Sequence, residues 1–352
     1  MRTRPVSGVT PKSLLGNRFV FPHVPRLLCT LIYRTKITDA VHANGSYIFI
    51  QLWAPGRAAD PAVLKQEGGF DLVAPSPISF NNNVPRELTV AEIKEYVRLY
   101  SKAASNAIKA GFDGVEMHAA YGNLLDQFLQ AVSNERTDEY GGSVDNRVRF
   151  PLEVINAVVE TIGAERTAVR ISPWAPYLGE EWSSRSASRA LICFIGMGMK
   201  DPLPTFTTFI ERIRDEHTNL AYIHAIEASV TGNTVVSPTD ENRAQSNEFL
   251  RNIWGNRPYI AAGGMDRATA IDTVSKYGGL VAFGRHFIAN VSRVFGSRWK
   301  FSDTTWQPDL PLRLKEGLSL TGYNQDTFYT PESAAGYIDY PFANNVVAVQ
   351  AQ

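Results

Sequence analysis

His118, Tyr121 and Asn123 stand close together in the segment HAAYGN. An imidazole there can hold or exchange a proton with an oxygen that gains charge during a reaction. A phenol with an ordinary pKa of about 10 can serve as a proton donor at neutral pH, whereas an amide does not titrate usefully and cannot act as an acid. His118 follows a short apolar run, Phe112–Met117, that reads as a buried strand, and Leu124, Leu125, Phe128 and Leu129 then recur with a helical period. His118 is therefore expected at the carboxyl end of a strand, where parallel α/β folds keep their chemistry. His118 and Tyr121 can face one cavity there, although a lone histidine is more often a core residue of an ordinary strand–helix unit. Arg170 interrupts another apolar strand, Thr167–Ser172, and a charge in such a place is rarely buried without a partner. Farther on, Gly263–Gly264 and Gly284–Arg285 each follow a strand and precede a helix. Glycine lets backbone approach an anion, amides at a helix start bind it, and arginine adds charge, so a phosphate site is expected at these turns.

The elements that must position these groups alternate. Strands are expected at Ser46–Leu52, Phe112–Met117, Thr167–Ser172, Leu220–Ile226, Tyr259–Ala262 and Leu280–Phe283, with helices at 89–110, 146–162, 204–216, 243–253 and 266–277. Thr89 caps the first of these helices and Glu92 completes a capping box, with Ile93, Val97, Tyr100, Ala104 and Ile108 on one face. Thr38–Asn44 reads as the end of a helix stopped by Gly45. Residues 54–88, rich in Pro, Gly and Asn, read as an excursion across the mouth of the fold.

Composition sets wide limits. The chain has 352 residues, 44% of them hydrophobic, with 35 Lys plus Arg against 35 Asp plus Glu. That suits a large core and gives no basic patch for nucleic acid. No apolar run approaches membrane-spanning length, the first residues lack a signal peptide's apolar core, and two cysteines do not make a disulfide framework. A cytoplasmic protein without a metal site, a membrane span or a nucleic-acid partner is expected.

The tract 112–150 resembles the old yellow enzyme family of FMN-dependent ene-reductases. The resemblance is carried by His118, by Gln127-Phe128-Leu129, by Asn134, Arg136, Asp138 and Tyr140-Gly141-Gly142, and by Asn146-Arg147-Val148-Arg149-Phe150. It extends over about residues 15–26, 36–174, 196–290 and 308–342. It implies a single FMN-binding domain over 1–352, a (β/α)8 TIM-type barrel in which NADPH or NADH reduces the flavin and the flavin reduces the C=C bond of an enone or enal. By the same resemblance Gln51 bonds the flavin ring edge, Arg170 stabilises the charge of reduced flavin, and Gly263, Gly264, Gly284 and Arg285 hold the phosphate. Trp53 and Tyr329 line the substrate pocket, and His118 bonds the substrate carbonyl.

The chain departs from the family pattern at several points. The family order is His, then Asn or His three residues on, then Tyr two further; here Tyr121 and Asn123 have changed places. Pro25 stands where the family has a threonine that bonds the flavin, and proline offers neither hydroxyl nor amide hydrogen. Leu27–Tyr33 follows the first strand candidate, Phe19–Phe21, without the crossover that adjacent parallel strands need, so the second β/α unit is missing or rebuilt. Two inserts, about 175–194 and 291–306, have no family counterpart. A retained intron with a lost exon would leave this pattern, as would a divergent paralogue. Three readings follow: an ene-reductase, a non-catalytic relic or binding protein on the same barrel, and a flavin-assisted isomerase.

Overall fold

The computed structural model describes residues 35–175, 197–228, 230–231, 234–235, 245–290, 309–328, 330, 333–337 and 339–340. The candidate strands Phe19–Phe21 and Leu27–Tyr33, Pro25, Tyr329 and nearly all of the two inserts lie outside the described residues. The described residues fall into two compact units, one ending at Gly264 and the other beginning at Met265.

Within the larger unit, five strands run parallel and pair in the order in which they occur: β1 Phe49–Leu52, β2 Gly114–Ala119, β3 Thr167–Ile171, β4 Tyr222–Ile226 and β5 Tyr259–Ala262. Helices α1 Val90–Lys109, α2 Val144–Ile162, α3 Leu203–Glu216 and α4 Glu248–Trp254 fill the successive crossovers. This is the curled parallel succession of a (β/α)8-type barrel, represented here by part of its circuit. A helix over 35–43 precedes β1, and Gly45 (φ 69°) stands just beyond its end.

Local chemistry accounts for the helix ends. Thr89 Oγ1 accepts from the Glu92 amide at 3.2 Å, and Glu92 Oε2 accepts from the Thr89 amide at 2.8 Å, so the capping box expected from the sequence is formed. Arg86 then grips the Glu92 carboxylate with two nitrogens, at 3.0 and 2.7 Å. Ser143 caps α2 by accepting from the Asn146 amide at 3.2 Å, which starts that helix two residues earlier than its apolar period suggests. The strand carrying His118 is displaced from Phe112–Met117 to Gly114–Ala119, so the histidine lies inside the strand and one residue before its end. The excursion 54–88 has structure of its own, a helix at Pro61–Gly68 and a parallel pair, Val73–Ala74 with Arg86–Glu87.

Alternate strand residues face opposite sides. Leu52, Val115, Met117, Ala119, Val169, Ile171, Ile223 and Ala225 are buried against the helices with Ile93, Tyr100, Ile155, Val158, Phe206, Phe209 and Leu250. The other face carries Phe49, Gln51, Glu116, His118, Arg170, Tyr222 and His224. At its amino-terminal end the Phe49 and Tyr222 rings lie 5.3 Å apart.

The smaller unit contains α5 Arg267–Tyr277, β6 Leu280–Ala282, α6 Arg285–Ala289 and α7 Asp309–Glu316. Asp266 caps α5 through the Thr269 amide at 2.8 Å. Arg267 Nε donates to the Leu314 carbonyl at 2.6 Å, and Asn290 exchanges hydrogen bonds with the Thr321 backbone.

Gly114 sits where a side chain has no room. A Cβ there would collide with the Phe49 ring and stand 2.5 Å from the Arg166 carbonyl oxygen, which is backbone and cannot swing aside. Gly114→Ala is expected to destabilise the protein by about 1–3 kcal/mol, the usual cost of overpacking. Urea unfolding measures this, and an unchanged midpoint would show that β1 and β2 can separate at that end.

Candidate active site

Strand register brings four separated sequence segments into one polar row. Gln51 on β1 lies opposite Glu116 on β2. His118, two residues on, lies opposite Arg170 on β3, which lies opposite His224 on β4. All five project from the same face, because the strands are parallel and in register.

Glu116 is the hub of this row. Gln51 Nε2 donates to Glu116 Oε1 at 2.6 Å, and His224 Nδ1 bonds Glu116 Oε2 at 2.9 Å. The second bond spans β3, and the β3 residue in register with Glu116 is Ala168, whose small side chain leaves the passage open. Burial pushes the Glu116 carboxyl up, but the His224 hydrogen bond, the Arg170 charge and the Gln51 hydrogen bond outweigh it and hold the carboxyl below its ordinary range. Glu116 is therefore an anion. Burial and the Arg170 charge push the His224 imidazole below its ordinary value, against the pull of Glu116, and so favour the neutral ring. A carboxylate only accepts, so Nδ1 carries the His224 proton and Nε2 is an acceptor. That Nε2 and the Nε of Arg170 are both buried without a hydrogen-bond partner.

His118 is 9% exposed. Its Nδ1 accepts from the Ala120 amide at 3.2 Å, so the neutral ring keeps its proton on Nε2. Burial first, and the Arg170 charge second, push its pKa down to about 3. The ring is thus a neutral donor across the physiological range. The Trp53 ring lies 6.4 Å from the His118 ring.

Tyr121 occupies the turn after β2 with a left-handed backbone, φ 52°. Asn and His tolerate that region far better than a bulky aromatic residue does. Two contacts help to hold it there: the Tyr121 amide donates to Ser172 Oγ at 2.9 Å, and the Arg170 guanidinium lies 5.6 Å from the Tyr121 ring centre. Tyr121, Arg170 and His118 thus form one connected group. Asn123 precedes the short helix Leu124–Leu129 and spends its amide locally, donating to the Ala120 carbonyl at 3.0 Å.

The conspicuous polar motif around these residues holds backbone. Gln127 Nε2 donates to the Gly122 carbonyl at 2.6 Å and the Pro55 carbonyl at 2.9 Å, while its Oε1 accepts from the Arg57 amide at 3.2 Å. It thereby clips the loop after Trp53 to the loop after His118. Asp126 accepts from the Gly122 amide at 2.9 Å, and burial lifts its carboxyl to about 7. Arg136 reaches the Pro75 and Leu88 carbonyls at 3.0 and 2.6 Å and pairs with Asp138, which fastens the excursion. Arg147 does the same for the carbonyls of Leu129 and Gly142.

Gly263 (φ 126°) and Gly264 (φ 62°) follow β5 in conformations that favour glycine. In the other unit Gly284 precedes α6, and Arg285 lies over the Tyr323 ring, 5.1 Å from its centre. Glu116 and His224 were not among the residues singled out from the sequence. His224 is a polar residue in an otherwise apolar strand, the same signal that drew attention to Arg170, and Glu116 shares its strand with His118. Among the described residues no group of three or more His, Cys, Asp and Glu is arranged to hold a metal ion, and no helix is long and apolar enough to cross a membrane.

Comparison with known proteins agrees with this geometry. The family model described as NADH:flavin oxidoreductase / NADH oxidase matches residues 33–296. The chanoclavine-I aldehyde reductase fgaOx3 of Penicillium roqueforti is 42% identical over 314 residues, covering 88% of this chain and 74% of that protein. The probable inactive dehydrogenase easA of Claviceps fusiformis is 39% identical over 325 residues, covering 90% of this chain and 75% of that protein. Among solved structures, an old yellow enzyme from Pichia sp. AKU4542 superposes with a TM-score of 0.70 at 32% identity, covering 89% of this chain and 74% of that one. With the fold, the polar row and these matches together, the chain belongs to the NADH:flavin oxidoreductase family of old yellow enzyme.

Proposed function

We propose that the protein is an FMN-dependent reductase of the C=C bond in α,β-unsaturated carbonyl compounds, with NADPH or NADH as reductant. The observation that carries this reading is His118, a buried neutral imidazole with its proton on Nε2, beside Arg170 on one strand face. The residues fit a flavin. The orphaned Arg170 Nε and His224 Nε2 offer a donor and an acceptor to a polar heterocycle edge, with Gln51 in the same row. For the phosphate the candidates are the Gly263–Gly264 turn and Arg285, each taken on its own. The Penicillium relative is named an aldehyde reductase, which favours an enal as substrate.

Bound FMN would supply the hydride. His118 would donate from Nε2 to the substrate carbonyl oxygen, drawing electron density from the β-carbon and holding the enolate charge as an oxyanion hole does. The Tyr121 phenol would give its proton to the α-carbon, a role closed to Asn123. Trp53 would flank the substrate. A second reading, a non-catalytic binder, draws support from the Claviceps relative's name, and a third, a flavin-assisted isomerase, from the exchange of Tyr121 and Asn123.

Purified protein should bind FMN and show its visible absorption, and Arg285→Ala should raise the dissociation constant for FMN more than that for riboflavin. A colourless protein that fails to take up FMN in titration would favour the binder. If enals are reduced, stopped-flow measurement should find the oxidative half-reaction slowed more by Tyr121→Phe than by Asn123→Ala, with reduction by the nicotinamide unaffected. An unchanged oxidative rate in Tyr121→Phe would assign the proton to water or another group. His118→Ala should cost about 2.7–4 kcal/mol of transition-state stabilisation, the loss seen for an oxyanion donor.

The pH dependence follows from the direction of the His118 shift. Its folded pKa of about 3 lies below the unperturbed value of about 6.5. The unfolded chain therefore binds this proton first, and His118 lowers stability as pH falls from about 6.5 toward 3. Nitrogen NMR should find the His118 ring neutral, with Nε2 protonated, down to pH about 4. A ring that titrates near 6.5 would remove the neutral donor from the mechanism.

A further inference from the structure

Glu116 has no direct part in the proposed chemistry, yet Gln51 and His224 are both bonded to it. Its two oxygens take Gln51 Nε2 at 2.6 Å and His224 Nδ1 at 2.9 Å. Since a carboxylate accepts and never donates, this choice of partner orients the Gln51 amide. The Nε2 end is committed to Glu116, and the carbonyl Oε1 is left as the end available to a ligand. The same argument leaves His224 with Nε2 as a bare acceptor, and that atom is buried without a partner. Glu116 is 7% exposed, and the charge of Arg170 acts on it. The converse also holds: an anion fixed beside Arg170 offsets part of the guanidinium's field on that face.

We infer that Glu116 is a positioning residue for the cofactor. It locks Gln51 with its carbonyl oxygen outward, as the acceptor for the imide N–H of the isoalloxazine edge, and it moderates the positive charge that Arg170 presents beside that edge. The inference rests on the FMN reading above. It differs from a structural role for Glu116 in what it demands of the ligand: an N–H must be there to meet Gln51, and the cofactor's electron affinity must respond to the Glu116 charge.

The test uses the full chain with FMN and with FMN methylated at the imide nitrogen. Wild-type protein should prefer FMN over the methylated form by at least about tenfold. Glu116→Gln frees the Gln51 amide to turn and should cut that preference to below about threefold. Adding Glu116→Gln to Gln51→Ala should change FMN affinity by less than about twofold, because residues that act through one another are not additive. The midpoint potential of bound FMN should rise in Glu116→Gln, by about 30 mV if the reduced form gains tenfold in affinity over the oxidised form. A lowered melting temperature with unchanged preference and unchanged potential would make Glu116 merely structural and overturn the inference. If Glu116→Gln does not fold, wild-type protein decides: the tenfold preference supports the lock, and equal affinity for the two flavins overturns it. Wild-type protein that binds neither flavin would remove the FMN reading and this inference with it.

Discussion

A carboxylate held inside a parallel sheet constrains everything around it. Taking Glu116 out of water costs several kcal/mol unless hydrogen bonds and opposite charge offset the loss. Gln51, His224 and Arg170 supply that offset from three other strands. Ala168 must stay small for the carboxylate to reach across β3. The row is therefore a unit: removing a neighbour leaves an uncompensated charge, and enlarging Ala168 separates Glu116 from His224. The aromatic pair Phe49 and Tyr222 lies at the amino-terminal end of the same face, which leaves the carboxyl end, where His118 and Trp53 meet, for chemistry.

The long motif from Gln127 to Arg147 serves a different purpose. Its polar side chains bind backbone carbonyls and amides that no strand or helix satisfies, and buried groups of that kind are costly when unpaired. Asn134 alone holds the carbonyls of Phe128 and Tyr140, at 2.9 and 2.8 Å. Such clamps tolerate little change because each geometry is set by several partners at once. The motif is thus a strong sign of this architecture and a weak sign of any particular reaction, since the same clamps would serve a barrel that had lost its chemistry.

What the sequence makes legible follows from the range of the forces involved. The capping box at Thr89 and Glu92, the apolar face of α1 and the glycine turns after β5 and β6 are local, and local chemistry decides them. Arg170 was visible because a charge in an apolar strand needs an explanation. His224 carried the same signal, but it lies 108 residues from Glu116, and nothing local tells that the two strands are separated by only one other. The displacement of β2 to Gly114–Ala119 has a related cause. Pairing with Phe49–Leu52 and Thr167–Ile171 sets the strand's limits, whereas the apolar run alone begins at Phe112. The helix Pro61–Gly68 was hidden by the glycines and prolines around it, although Asp60 and Pro61 together are an ordinary helix start.

The exchange of Tyr121 and Asn123 puts an aromatic side chain on a demanding stretch of backbone. The turn at 121 is left-handed, a conformation suited to the Asn or His of the family pattern and costly for tyrosine, by about 1–3 kcal/mol for a strained residue of this kind. The surroundings impose it: Gly122 follows at φ 71°, its amide is held by Asp126, and Ser172 holds the amide of residue 121. None of these contacts reads the side chain at 121. The backbone of this turn is therefore set by its neighbours whatever side chain stands at 121, and the Arg170–Tyr121 contact returns part of the strain energy. The strained turn sets the phenol ring against the Arg170 guanidinium, and Asn at 121 would relieve the strain and lose that contact.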